Sequence, residues 1–307
     1  MILGGGPAGL TAAIYAGRAK LSVLVIERGV FGGTVYQTKE VANYPGILPG
    51  ETGAEFSARI EAQAWSFSAE KVMGEVRAAE LTGDIKEVVC GDTVYQGRTI
   101  IIATGRALSV PAKLGIPGEE AYLGRGVSYC AVCDAPFFAD SDVFVVGGGD
   151  SALEESLYLA NVVRRVTIIH SAGDFQADEK LVDLTKKTDN ISFLMDTRVL
   201  EIGGGDLLTR VETEDIITGG RRTIDAPEGE SFGFFIYVGM TPETGIFGDD
   251  LDTENGYIIT DEEMRASIPG VFAAGDVRRK IFRQAVTAAA DGATAALFAG
   301  RYLLETR

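Results

Sequence analysis

The sequence contains little histidine, cysteine or basic charge, and each shortage excludes a class of function. His170 is the only histidine among 307 residues, which leaves almost no material for a histidine-based triad or a histidine-rich metal site. Three cysteines do not make a disulfide-stabilised scaffold. Lys and Arg number 28 against 44 Asp and Glu, and the resulting net charge of −16 argues against binding to nucleic acids or anionic membrane surfaces.

Long apolar segments are also missing from the sequence. The best candidate, residues 285–299, is interrupted by Asp291 and is rich in Ala and Gly, whereas a membrane-spanning helix needs roughly 20 predominantly apolar residues. No basic segment followed by an apolar core opens the chain, so we expect a cytoplasmic enzyme. Only three residues precede Gly4, from which we expect that the first strand lacks residues at its start.

Glycine is abundant instead, and it clusters in two places. The 39 glycines include the loop Gly4-Gly5-Gly6-Pro7-Ala8-Gly9 and the loop Gly147-Gly148-Gly149-Asp150-Ser151-Ala152. Each loop follows an apolar run and precedes a helical stretch and a second apolar run, which is the order of a dinucleotide-binding βαβ unit. We therefore predict an α/β fold of two Rossmann-like, three-layer ββα dinucleotide-binding domains, the second inserted into the first. The predicted segments are residues 1–109 and 240–307 for the first domain and residues 110–239 for the inserted domain.

An acidic residue distinguishes the two units. Glu27 ends the strand that follows the first helix, where a carboxylate can accept hydrogen bonds from a ribose diol. The same offset in the second unit falls on His170, followed by Ser171 and Ala172. The second unit therefore has neither a carboxylate for the ribose nor an Arg for a 2′-phosphate. The sequence predicts a nucleotide in the first unit and leaves the ligand of the second open.

Two cysteines are spaced for thiol chemistry. Cys130 and Cys133 form a CxxC motif that is followed by Asp134. Two thiols at this spacing can close a small disulfide ring, and in a cytosolic protein they serve exchange chemistry more often than stabilisation. Asp134 could move the protons that such exchange requires. Two alternatives stay open at this point: a zinc site that also recruits Cys90 and His170, and a pair of small buried apolar side chains.

Two further strand ends complete a set of motifs that resembles a known family. Ala103-Thr104-Gly105 and Ala274-Gly275-Asp276 each end an apolar run in a small-residue turn, which lets the backbone approach a flat cofactor. Together with the glycine loops, the segment 32–46, the cysteine motif and Arg283-Gln284-Ala285, they resemble the low-molecular-weight thioredoxin reductases over essentially the whole chain. The order and spacing of these motifs make the resemblance highly specific.

The resemblance implies a flavoprotein disulfide reductase, expected to be a homodimer. Cys133 would accept electrons from the flavin, Cys130 would attack the disulfide of a thioredoxin-like protein, and Asp134 would be the acid–base group. FAD would be held by the first and last segments of the chain. The implied FAD-binding residues are Gly4, Gly6, Pro7, Ala8, Gly9, Glu27, Gly32, Gly33, Thr34, Asn43, Ala103, Thr104, Gly105, Gly275, Asp276, Arg283, Gln284 and Ala285.

The chain departs from the family at the predicted electron-donor site. Family members that use NADPH carry His-Arg-Arg and a further Arg, which bind the 2′-phosphate. The aligned residues here are His170-Ser171-Ala172 and Gln176, and neutral side chains do not replace a bidentate phosphate clamp. NADPH is therefore not the expected donor, and the chain resembles the branch of the family that uses ferredoxin. NADH is an alternative because the glycine loop is intact; a flavin oxidase with bystander cysteines and a flavin- or zinc-carrying regulatory module are further alternatives.

A basic cluster follows the last predicted FAD motif. Arg278, Arg279, Lys280 and Arg283 place four cations in six residues of a strongly acidic chain. We predict that Arg278, Arg279 and Lys280 form a docking surface for ferredoxin, because a local reversal of charge suits an acidic partner. The alternative is that these cations neutralise FAD phosphates or pair with the acidic run 243–263.

Overall fold

The computed structural model describes residues 1–38, 40–107, 113–239 and 241–306. The chain divides into two compact units, unit 1 being Met1–Ala107 with Thr241–Arg307 and unit 2 being Leu108–Met240. The predicted domain boundaries, after residues 109 and 239, fall next to or within segments outside the described residues and stay predictions. Within the described ranges, no helix is both long and apolar enough to cross a membrane.

The secondary structure follows the two βαβ patterns. The helices are α1 Pro7–Arg18, α2 Gly53–Trp65, α3 Ala131–Asp134, α4 Asp150–Ala160, α5 Glu179–Lys186 and α6 Ala285–Glu305, with 3₁₀ turns at Gly33–Gln37, Ala135–Phe138, Gly245–Phe247 and Gly275–Val277. The strands are β1 Ile2–Leu3, β2 Leu24–Glu27, β3 Glu70–Met73, β4 Val76–Glu80, β5 Lys86–Cys90, β6 Thr93–Gly97, β7 Ile100–Ile102, β8 Arg106–Ala107, β9 Val127–Ser128, β10 Asp142–Val146, β11 Arg165–Ile169, β12 Ile191–Leu194, β13 Thr197–Gly204, β14 Leu208–Asp215, β15 Arg221–Asp225, β16 Gly233–Ile236, β17 Thr241–Pro242, β18 Thr253–Glu254, β19 Tyr257–Ile258 and β20 Val271–Ala273.

Unit 1 has three layers around a parallel sheet of order β20-β7-β1-β2-β3. Helices α1 and α6 cover one face, and the antiparallel sheet β4-β5-β6 covers the other. Strand β7 shows why both faces are apolar: Ile101 points into the core beneath the helices, whereas Ile100 and Ile102 point into the core beneath the second sheet. Successive side chains alternate across a strand, so a central strand buried on both faces reads as a continuous apolar run.

Unit 2 repeats this plan with a parallel sheet of order β12-β11-β10-β16-β9. Along β10, Val143 and Val145 pack on the side of α4, whereas Phe144 and Val146 pack against the antiparallel sheet β13-β14-β15. The predicted α/β fold with two Rossmann-like domains is confirmed by this architecture.

Helices α1 and α6 pack so closely that a glycine is required between them. A Cβ atom on Gly292 of α6 would lie 2.0 Å from the carbonyl oxygen of Ala8 in α1. Pro7 occupies the first position of α1, where its fixed φ suits the helix and its missing N–H leaves no unpaired donor. The contact therefore holds the start of α1, and the glycine loop before it, against the C-terminal helix.

Substitution of Gly292 by Ala should destabilise unit 1. The added methyl group meets backbone rather than a movable side chain, so we expect a loss of about 1–3 kcal/mol in the free energy of unfolding, measured as a lower midpoint of thermal denaturation. Gly245→Ala is the matched control, because a Cβ there would have no neighbour within 4 Å. Equal midpoints for Gly292→Ala and the wild-type protein would contradict the packing argument.

Candidate functional site

The first glycine loop, residues 4–9, joins β1 to α1 and forms an open cradle at the N-terminus of α1. Gly4 has φ +105°, and a Cβ there would lie 2.3 Å from the carbonyl oxygen of Ala103; a Cβ on Gly9 would lie 1.9 Å from the carbonyl oxygen of Gly4. Gly6 differs, because its Cβ would meet nothing nearer than the Cα of Gly33 at 3.9 Å. Gly4 and Gly9 thus serve packing, whereas Gly6 leaves space for a ligand over the N-terminus of α1.

Glu27 lies beside this loop, as predicted from its position at the end of β2. Its Oε2 accepts a hydrogen bond from the amide of Gly5 at 2.6 Å, and its Oε1 accepts one from the amide of Gly29 at 2.7 Å. These two bonds orient the carboxylate while leaving further lone pairs on each oxygen. Glu27 can therefore accept hydrogen bonds from a ribose diol without rebuilding the loop.

Three turns meet at the carboxyl edge of the sheet in unit 1. The turns after β1, β7 and β20 are neighbours because these strands are adjacent in the sheet. Thr104 donates to the carbonyl oxygen of Glu243 at 2.9 Å, and Asn43 donates to the side chain of Gln284 at 3.0 Å. The remaining predicted FAD residues lie at the start of α1 (Pro7 and Ala8), in the turns after β7 and β20 (Ala103, Gly105, Gly275 and Asp276), around the first 3₁₀ turn (Gly32, Gly33 and Thr34) and around the start of α6 (Arg283 and Ala285).

Asp276 supplies the direct test of whether these residues fit a polar cofactor. Burial raises the pKa of its carboxyl, and the positive charges of Arg106, Lys280 and Arg283 act in the opposite direction. Its Oδ1 and the Nε of Arg106 are buried and have no hydrogen-bond partner among the described residues. The Nε of Arg106 lies 3.7 Å from Oδ2 of Asp276, so the two side chains form an ion pair. Buried polar atoms are nearly always hydrogen-bonded, so the Oδ1 of Asp276 fits a hydroxyl-bearing cofactor such as FAD.

Two of the three cations predicted to form a ferredoxin docking surface, Arg278 and Lys280, have largely buried side chains, whereas that of Arg279 is exposed, so the structure does not support a docking surface made of all three. Lys280 bonds to Asp291 at 2.7 Å with a side chain only 8% exposed, and Arg278 bonds to the same carboxylate at 3.1 Å. Arg279 pairs with Glu254, within the acidic run that the alternative named. The physical reason is that Asp291 interrupts the apolar helix α6 and is buried, so it requires positive partners.

The cysteine pair lies in unit 2 around the short helix α3. Cys130 and Cys133 form a disulfide, with their Cα atoms 5.3 Å apart. Cys90 is a buried thiol in β5, in the core of unit 1. The described residues hold no cluster of His, Cys, Asp and Glu suited to a metal ion. The two motif cysteines are thus bonded to each other, as exchange chemistry requires.

Two hydroxyl groups that the sequence analysis missed support the cysteine motif. Ser128 donates to Asp134 at 2.6 Å and accepts from the amide of Cys130 at 3.0 Å, and Tyr237 accepts from the amide of Ala131 at 2.7 Å. Burial raises the pKa of Asp134, and the bond from Ser128 partly offsets that shift. A buried carboxyl with a raised pKa beside a disulfide is suited to giving and taking a proton.

The second glycine loop is intact but lacks cations for a 2′-phosphate. The strand-ending His170 packs on Gly148, where a Cβ would lie 2.2 Å from the imidazole. The segment carrying Ser171, Ala172 and Gln176 folds back on the loop, and the amide of Gln176 donates to the carbonyl of Gly148 at 2.8 Å. These three side chains are neutral and cannot supply the charge-assisted bonds that hold a phosphate. None of the three residues aligned with the family's phosphate-binding arginines therefore carries a positive charge.

The relationship to known proteins follows from comparison of the whole chain. The family model for pyridine nucleotide-disulphide oxidoreductases matches residues 1–292. Thioredoxin reductases of Peptoclostridium acidaminophilum and Listeria monocytogenes are 42% and 43% identical to this chain, over 98% and 100% of it and 96% and 94% of their own lengths. The chain belongs to the thioredoxin reductase family.

Solved structures agree with this membership. The thioredoxin reductase from Streptococcus pyogenes is 44% identical, with a TM-score of 0.90 over 99% of this chain and 97% of that one. A ferredoxin-flavin thioredoxin reductase from Clostridium acetobutylicum is 25% identical, with a TM-score of 0.52 over 100% and 97%. The predicted family is therefore confirmed, whereas the assignment to its ferredoxin-dependent branch is not supported. Thioredoxin reductases use FAD, and the cradle in unit 1 fits that cofactor.

A side chain at Gly6 should prevent FAD from binding without disturbing the fold. A Cβ added at Gly6 would point into open space, so Gly6→Val should fold. The methyl groups of the valine would nevertheless occupy the approach to the loop amides. We expect at least a roughly tenfold loss of affinity, about 1.4 kcal/mol, measured as the flavin content of the purified protein. Gly245→Val, at a glycine outside the cradle, should keep its flavin; a yellow Gly6→Val protein would contradict the assignment.

Proposed function

We propose that this chain is an FAD-dependent oxidoreductase that reduces the disulfide of a thioredoxin-like protein. The observation that carries the proposal is the Cys130–Cys133 disulfide together with the buried carboxyl of Asp134, which follows Cys133 in the sequence and is bonded to Ser128. Support also comes from the cradle in unit 1, where the buried Oδ1 of Asp276 has no hydrogen bond among the described residues and fits FAD, and from relatives that are named thioredoxin reductases. The flavin would supply two-electron transfer to the disulfide when bound.

The cysteines would carry the electron pair to the partner in two exchange steps. On reduction Cys133 would become a thiolate, and Cys130, released as the Cys130–Cys133 bond breaks, would take a proton to become a thiol. The thiolate of Cys130 then attacks the partner disulfide, and a mixed disulfide forms as the partner's leaving thiolate takes a proton. Cys133 displaces the partner by attacking Cys130, which restores the Cys130–Cys133 bond and frees a dithiol. Asp134 would supply and recover protons at the leaving sulfur.

The electron donor we propose is not NADPH. Ser171, Ala172 and Gln176 provide no positive charge, and the position equivalent to Glu27 is occupied by His170. Loss of both the phosphate clamp and the ribose carboxylate favours a protein donor such as a reduced ferredoxin, docking elsewhere than at the buried cations. NADH is the second candidate, because the glycine loop from Gly147 is intact in the sequence. A homodimer stays a prediction from the resemblance, and a cytoplasmic location stays a prediction from the sequence.

Replacement of Cys130 should abolish reduction of thioredoxin while leaving the flavin bound. Cys130→Ser removes the attacking sulfur, so we expect turnover to fall by at least about a thousandfold, measured as reduction of thioredoxin by the dithionite-reduced enzyme. Cys90→Ala is the matched control, because that thiol lies in the core of unit 1. Retained activity in Cys130→Ser would overturn the proposal, and oxygen consumption that survives loss of both motif cysteines would favour a flavin oxidase.

The donor can be identified by anaerobic titration of the flavin absorbance with NADPH, NADH and reduced ferredoxin separately. We expect slow bleaching by NADPH because its 2′-phosphate finds no cation. The triple variant Ser171→Arg, Ala172→Arg, Gln176→Arg should improve the rate with NADPH by roughly a hundredfold, since charge-assisted bidentate bonds are restored. Ser171→Gln with Ala172→Gln controls for side-chain length without charge. Fast bleaching of the wild-type enzyme by NADPH would contradict this prediction.

A further inference from the structure

We propose that Ser128 is a positioning residue of the cysteine site, whose hydroxyl pairs with Asp134 in both of its protonation states while holding the backbone of Cys130. The proposal deepens the proposed function, since it rests on Asp134 acting as the acid–base group. It assigns a role to a residue that is neither a cysteine nor part of a glycine motif.

The side-chain oxygen of Ser128 makes three polar contacts. Ser128 ends strand β9 and is 3% exposed. Its Oγ lies 2.6 Å from Oδ2 of Asp134, 3.0 Å from the amide nitrogen of Cys130 and 3.3 Å from the carbonyl oxygen of Cys130. The hydroxyl therefore touches the carboxyl group and both polar backbone atoms of the first motif cysteine.

The number of protons and lone pairs explains why a hydroxyl is needed. A serine hydroxyl donates one proton and accepts two hydrogen bonds. When Asp134 is ionised, Ser128 donates to Oδ2 and accepts from the amide of Cys130. When Asp134 is protonated, it donates to Ser128, and the hydroxyl proton turns to the carbonyl oxygen of Cys130. The hydrogen bond from the amide of Cys130 to Ser128 is present in both states. Asp134 can therefore bind and release a proton without leaving a buried polar group unpaired.

Ser128 is the polar side chain that shifts the pKa of Asp134. Among the described residues, burial and the bond from Ser128 are the two causes that shift its pKa, the first raising and the second lowering it. Helix α4, which packs against α3, carries Asp150, Glu154 and Glu155, and none of these carboxylates contributes to the shift. On the other side of α3, the hydroxyl of Tyr237 is engaged with the amide of Ala131.

The test measures opening of the Cys130–Cys133 disulfide in the flavin-loaded enzyme by dithiothreitol across a range of pH. A dithiothreitol thiolate attacks one sulfur and the leaving cysteine takes a proton; the second dithiothreitol thiol then closes its own disulfide and releases a protein dithiol. The rate is followed by maleimide labelling and divided by the thiolate concentration. Neither an electron donor nor a thioredoxin is needed, so the result is independent of the substrate proposed above.

The expected result is a shift of the pH profile in Ser128→Ala. Protonated Asp134 accelerates opening of the disulfide, so the rate falls as the pH rises through the pKa of this carboxyl. Loss of the hydroxyl raises that pKa, so the fall in rate should move upward by about one pH unit, a tenfold change in the protonation equilibrium. Ser128→Thr should restore the wild-type profile. Ser156→Ala is the matched control, because this buried hydroxyl bonds to the backbone of its own helix.

Several outcomes would overturn the proposal. An unshifted profile in Ser128→Ala, or an equal shift in Ser156→Ala, would show that the hydroxyl has no specific effect on Asp134. If Ser128→Ala does not fold, the isosteric variants Ser128→Thr and Ser128→Val compare a side chain with the hydroxyl and one without it. Identical pH profiles for these two variants would refute the proposal. A wild-type profile unchanged in Asp134→Asn would remove Asp134 as the acid. A shifted profile in an enzyme that does not reduce thioredoxin would instead refute the proposed substrate alone.

Discussion

Close contact between backbone atoms at the start of α1 is the constraint on which the cofactor cradle depends. Gly9 allows the helix to lie against the carbonyl of Gly4, and Gly292 allows α6 to lie against the carbonyl of Ala8. A larger side chain at either contact would move the helix away from the sheet edge. The loop amides would then no longer converge with the turns after β7 and β20. Gly9 and Gly292 are therefore required by packing, whereas Gly6 leaves space for a ligand.

Buried carboxylates organise both units, but their partners give them different chemistry. Asp291 accepts from the amide of Gly275 and pairs with two cations, Arg278 and Lys280, which ties the turn after β20 to α6. Within the described part of the chain no cation pairs with Asp134, which accepts a hydrogen bond from the hydroxyl of Ser128. Burial raises the pKa of Asp134, and the hydrogen bond from Ser128 only partly offsets that shift, which favours proton exchange. One carboxylate is therefore structural, and the other is suited to catalysis.

The parts of the fold that could be predicted from the sequence are those that short stretches of chain encode. An apolar run, a glycine turn and an apolar helix specify a βαβ unit almost by themselves, and the two copies led to the correct fold class. Glu27 and the cysteine motif were also found, because their positions follow from the ends of the strand and from the CxxC spacing. The basic cluster was misjudged, because Arg278 and Lys280 are exposed or buried only according to where Asp291 lies.

The sequence by itself determined the two glycine loops, the Cys130–Cys133 spacing and the neutral residues in place of phosphate-binding arginines. These features depend on local backbone geometry and on residue chemistry, which are readable one segment at a time. The tertiary structure decided which cations are neutralised and which hydroxyl groups support the disulfide. Tyr237 reaches Ala131 across 106 residues of sequence, and Asp291 meets its cations only because α6 folds back on the turn. The partners of buried polar groups come from distant elements, because a polar group becomes buried, and meets the hydrogen-bond or ion-pair partner that offsets the cost of burial, only when these elements pack together.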